Sequence, residues 1–237
     1  AMSLKKYLAG IVLAAGVPMT ASAAIVTLDG DWFDVKYDDA IVSLWGTPTL
    51  VGNELKFFPT EFKANSVNTS GANAMDFMPS TIALQIIADD GYFLTGADLD
   101  EGGDYFKFGG ARSNVTISGE LRMTSLSGPG GTVVDSIESS PAFPLPATLP
   151  FISQAWTAGA SVSMTGQVTS ANVTIQNLLA AWQFNDETGN GTFQGAFVEK
   201  KNVILAVGVA PIPEPATWAM MATGGILLGF GLRRSRS

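Results

Sequence analysis

The stretch TIALQIIA, residues 81–88, sets Ile82, Leu84 and Ile86 on one side of the chain against Ala83, Gln85 and Ile87 on the other. A period of two is the signature of a strand with one buried face. NVTISGELRMTS, residues 114–125, repeats the pattern, with Val115, Ile117 and Gly119 alternating with polar neighbours. Working outward, similar short runs rich in β-branched and aromatic residues fall at 32–37, 49–51, 54–58, 92–95, 104–108, 161–169, 172–181, 192–197 and 203–207. Gly, Asn, Asp and Pro punctuate them, and no long amphipathic helical stretch intervenes. This pattern predicts an all-β domain, an antiparallel β-sandwich or jelly roll. Residues 139–150 hold Pro141, Pro144, Pro146 and Pro150 and are expected to form a surface connection inside one sandwich. A separate piece of about 60 residues without disulfides would be marginal on its own.

Composition narrows the chemistry. Hydrophobic residues make up 46% of the 237 residues and charged ones only 14%, and part of that apolar excess sits at the two ends. Between residues 24 and 212 there are 8 basic and 20 acidic residues. So acidic a domain repels phosphate backbones and anionic headgroups, which argues against nucleic acid and peripheral membrane as partners. The chain contains neither cysteine nor histidine. Ser-His-Asp and Cys-His nucleophiles, zinc sites built on His or Cys, haem and iron-sulfur centres are thereby excluded.

The N-terminus is ordered like a secretory signal. Lys5 and Lys6 precede an apolar run over 7–17, and Ala21 and Ala23 form an A-x-A signal peptidase site, with Ala24 as the mature N-terminus. The signal peptide is read as 1–23, and Ala1, ahead of Met2, as a cloning remnant. An ectodomain over 24–210 follows, and then a distinct tail over 211–237. In that tail Pro213, Glu214 and Pro215 precede residues 216–232, which carry no charge, and then Arg233, Arg234 and Arg236. Seventeen residues at about 1.5 Å each give a helix of about 25 Å, at the short limit for a membrane span. The arginines would act as a stop-transfer anchor on the cytoplasmic side.

This tail resembles the PEP-CTERM sorting signal: a Pro-Glu-Pro motif, a short Gly-rich apolar helix and an arginine cluster, in that order. The resemblance implies recognition of Pro213, Glu214 and Pro215 by exosortase, a membrane-embedded transpeptidase-like enzyme. It further implies transient anchoring in the inner membrane, cleavage near the motif, and a cell-surface or extracellular destination in bacteria with exopolysaccharide and biofilm loci. The segments GDWFDVKYDDAIVSLWGTPTLVGNELKFFPTEFKA (30–64) and GYFLTGADLDEGGDYFKFG (91–109) are similar to the β-rich ectodomains that precede such tails. That likeness implies a fold and a setting but no activity.

Within the domain, Asp98, Asp100, Glu101 and Asp104 gather around Gly102 and Gly103 in what reads as a loop between two strands. Such oxygen ligands suit calcium. Solvated loop carboxylates are the preferred reading, because the spacing does not match an EF-hand loop. A second acidic cluster, Asp29, Asp31, Asp34, Asp38 and Asp39, is divided between strand faces. Trp32, Trp45, Trp156 and Trp182 fall in strand-like stretches where core burial is expected, although an exposed one beside Asn or Asp would suit stacking on a sugar ring. Asn68, Asn114 and Asn172 stand in N-x-S/T patterns that such a composition produces by chance.

The expectation is therefore an exported, non-catalytic surface or matrix protein with no resident cofactor, associating with exopolysaccharide or with itself. A glycan- or calcium-binding sandwich module is the first alternative. A glycosidase working through a carboxylate pair is the second, since that chemistry needs neither His nor Cys.

Overall fold

The computed structural model describes residues 24–67, 73–109, 113–140, 142, 145–184 and 194–213. The signal segment 1–23, Asn68, Glu214, Pro215, the apolar tail and the arginine cluster lie outside the described residues. The strands are β1 (Ile25–Leu28), β2 (Phe33–Asp38), β3 (Thr49–Val51), β4 (Glu54–Phe57), β5 (Lys63–Asn65), β6 (Ala74–Ala88), β7 (Tyr92–Phe108), β8 (Asn114–Ser125), β9 (Thr132–Ser136), β10 (Glu138–Ser140), β11 (Gln154–Val168), β12 (Ser170–Gln183) and β13 (Gly195–Pro211). A short 3-10 turn, Asp39–Val42, is capped by Asp38, whose carboxylate accepts from the Ala40 amide. Among the described residues no helix is long and apolar enough to cross a membrane.

Two antiparallel sheets result. One runs β1-β2-β6-β12-β8-β9; the other runs β10-β11-β7-β13-β4-β3, with β5 also on β13. The chain passes from one sheet to the other between β2 and β3, β5 and β6, β6 and β7, β7 and β8, β9 and β10, β11 and β12, and β12 and β13. Alternation makes each strand amphipathic. Ile82, Leu84 and Ile86 of β6, Val173 and Ile175 of β12, and Leu121 and Met123 of β8 turn inward from the first sheet. Leu99 and Tyr105 of β7 and Val203, Leu205 and Val207 of β13 do so from the second, and all join a single core. Leu145, in the proline-containing connection, is buried in that same core, and the Thr148 amide donates to the Lys107 carbonyl.

The long strands correct the expected segmentation. Residues 92–95 and 104–108 belong to one 17-residue strand, as do 195–197 and 203–207 of the second pair. Gly102 and Gly103 read as turn formers, but in β7 glycine serves close approach: a Cβ on Gly103 would collide with the Glu199 carbonyl of β13. The proposed acidic loop at 98–104 is therefore strand. A bulge at Lys201 interrupts β13, so that Lys200 stands opposite Gly103 and Asn202 opposite Gly102.

Candidate functional site

Placing 98–104 on a strand divides its carboxylates. Alternation sends Asp98, Asp100 and Asp104 outward and Glu101 inward beside Leu99. Asp98 accepts from the Ser161 hydroxyl at 2.5 Å, and Asp104 pairs with Lys201. The hydrogen bond to Asp104, with that to Glu199, raises the Lys201 ammonium above its ordinary value. The four residues singled out for calcium thus do not converge, and no group of three or more acidic side chains able to hold a metal occurs among the described residues. In the second acidic cluster, Asp38 caps the 3-10 turn and Asp39 accepts from the Ala24 amide.

What the fold assembles instead is a polar cluster in the apolar interior. Glu101 of β7 and Lys200 of β13 have fully buried side chains and form an ion pair at 2.5 Å between Oε2 and Nζ. The bulge at Lys201 supports this arrangement, because two consecutive outward residues separate Lys200 from the next inward residue, Val203. From the facing sheet, Asn177 of β12 donates through Nδ2 to Glu101 Oε1 at 2.7 Å. Its Oδ1 is buried without a hydrogen-bond partner. Asn177 occupies an inward position in the series Val173, Ile175, Asn177, Leu179, where an apolar residue would be the default.

Aromatic rings close the cluster. Lys200 Nζ lies 5.4 Å from the centre of the Trp45 ring and 5.2 Å from that of Phe62. Trp45 packs edge-on to Phe57 and Phe62, and its indole N–H donates to the Ser80 hydroxyl at 2.8 Å. Ser80 is the cross-strand neighbour of Asn177. Burial pushes the Lys200 amine below its ordinary value, and the adjacent Glu101 opposes that shift. An amine, a carboxamide and a carboxylate that touches both are therefore held out of water on three long strands.

Neither Lys200 nor Asn177 was singled out from the sequence: alternation with Val173 and Ile175 marks Asn177 as inward, whereas counting back from Val203 would turn Lys200 outward, and only the bulge at Lys201 brings it in. Glu101 was singled out, with the wrong neighbours. Of the tryptophans, Trp45 and Trp156 are buried as expected, whereas Trp32 is 38% exposed. With Asn53, Tyr92 and Val207–Val209 it lines a shallow surface groove of about 450 Å³.

The last strand carries the chain to the tail. Pro211 ends β13 opposite Tyr92, and the Ile212 amide donates to the Gly91 carbonyl at 2.7 Å. Ile212 and Pro213 continue beyond the strand toward the rest of the tail. No curated protein matches the chain. A family model for the PEP-CTERM protein-sorting motif matches residues 211–236. That match begins at the last residue of β13 and indicates an exported protein sorted by exosortase: the chain carries a PEP-CTERM sorting motif at residues 211–236.

Proposed function

We propose that the protein is a non-catalytic surface or matrix component, whose β-sandwich ectodomain is released to or displayed on the cell exterior and associates there with exopolysaccharide or with further copies of itself. The sorting motif at 211–236 is the observation that carries this reading. It is supported by a domain in which the Glu101–Lys200 pair and Asn177 lie sealed in the core, out of reach of an external substrate. The test is fractionation of producing cells with and without exosortase. A tail-less protein in the matrix fraction is expected when exosortase is present, and a cell-retained protein with an intact tail when it is absent. Retention with an intact tail in both strains would overturn the reading.

The exposed Trp32 favours a glycan-binding version of the same role, because an aromatic face beside Asn53 and Tyr92 suits stacking on a neutral sugar ring. Trp32→Ala should then abolish co-sedimentation with the producer's exopolysaccharide while leaving the melting temperature unchanged. Equal co-sedimentation of the two proteins would remove this version.

A further inference from the structure

We propose that Lys200 and Asn177 become joined by an intramolecular amide bond, formed autocatalytically in the folded domain with Glu101 as the proton relay. The three groups are poised for that condensation and poorly arranged for a purely structural role. A buried ion pair stabilises little against its own desolvation. Asn177 adds a further cost, since its carbonyl oxygen is buried unpaired although its amide nitrogen is satisfied.

Each oxygen of Glu101 touches one reactant: Oε2 meets the Lys200 amine at 2.5 Å and Oε1 meets the Asn177 amide nitrogen at 2.7 Å. The carboxylate takes a proton from the Lys200 ammonium through Oε2, which frees the nitrogen lone pair. Nζ attacks Asn177 Cγ, forming the new C–N bond and a tetrahedral centre. A second proton leaves Nζ as the Cγ–Nδ2 bond breaks, and Nδ2, protonated by the relay, departs as ammonia. Lys200 goes from three N–H bonds to one, Nδ2 goes from two to three, and the remaining proton stays on Glu101 as a neutral carboxylic acid. An ion pair and a primary amide thus become a secondary amide, a carboxylic acid and one ammonia, with no oxidant, metal or co-reactant.

The surroundings favour each step. Trp45 and Phe62 flank the amine in an apolar environment, which favours its neutral, nucleophilic form. The reactants sit on long strands of opposite sheets, so orientation is established by folding and no encounter is needed. Exclusion of water removes hydrolysis as a competitor. The product would staple β12 to β13 across the core. Because β13 runs into the sorting motif at Pro211, any pull applied through the C-terminal end enters the domain on the stapled strand.

The experiment is peptide mapping of the full chain purified from the exporting host, by digestion after glutamate and mass spectrometry. Glu187 and Glu199 lie between the two residues, so cleavage there separates an Asn177 peptide from one beginning at Lys200. The expected result is one joined species carrying both, lighter than the sum of the two free peptides by one ammonia, about 17 Da. Glu101→Gln, which keeps the shape and removes the relay, should give two separate peptides of full mass. Separate full-mass peptides from the folded wild-type protein would overturn the proposal, and that measurement needs no variant to fold. Ammonia loss confined to the Asn177 peptide would overturn it equally, as that is cyclisation onto the backbone.

Discussion

Glu101→Gln should leave an uncompensated ammonium in the core, and its cost can be bounded. At 2.5 Å and an effective dielectric of about 20, the pair gains about 7 kcal/mol of Coulomb energy, most of it offset by desolvation of both charges. Removing one partner leaves the other's desolvation unopposed, typically about 3–5 kcal/mol. The protein can limit this loss by releasing the Lys200 proton. With an ordinary value of 10.5, that costs about 1.4 kcal/mol for each pH unit below it, hence about 5 kcal/mol at pH 7. The sign follows from burial. The folded-state value of Lys200 lies below 10.5, so between the two values the unfolded chain binds more protons and stability rises with pH. The deficit is therefore largest at and below the folded-state value and vanishes above 10.5. The proper comparison is with the double variant Glu101→Gln/Lys200→Met, since neither protein can form the amide bond. Urea unfolding followed by the fluorescence of Trp45, which packs against the amine, should place the single variant about 3–5 kcal/mol below the double at pH 7. The gap should narrow by as much as about 3 kcal/mol by pH 9. A gap under about 1 kcal/mol at pH 7, or one independent of pH, would refute the reasoning.

Other consequences are simpler to measure. Gly103→Val sets a side chain against the Glu199 carbonyl and should lower the melting temperature sharply or prevent folding, whereas Gly52→Ala, with open space around its Cβ, should cost only the strain of its positive φ. Lys201→Ala removes solvent-screened ion pairs to Asp104 and Glu199 and should leave the urea midpoint nearly unchanged, against the much larger effect next door at Lys200. Ile175→Ala empties a fully buried position of β12 and should cost about 2–5 kcal/mol by denaturant titration. Millimolar calcium should leave the melting temperature where chelator puts it; a calcium-specific rise would restore a site at Asp98, Asp100 and Asp104.

The class of fold was legible because alternation is local: the run at 81–88 and the run at 114–125 keep their faces in the folded protein. Strand length was not legible at 92–108, because Gly102 and Gly103 carry the same local signal whether they turn the chain or admit a neighbouring backbone. The candidate site was hidden for a related reason. Glu101, Asn177 and Lys200 come from three strands, two in one sheet and one in the other, and their meeting depends on register and on a bulge that no single segment encodes.

The sorting tail, the acidic all-β domain and the absence of His and Cys chemistry were thus determined by the sequence alone, because each is a property of composition or of residues adjacent in the chain. Tertiary structure decided which carboxylate is buried and what it touches. Alternation assigns Glu101 a face, but only the packing of one sheet on the other supplies Lys200, Asn177 and the rings that keep water from them.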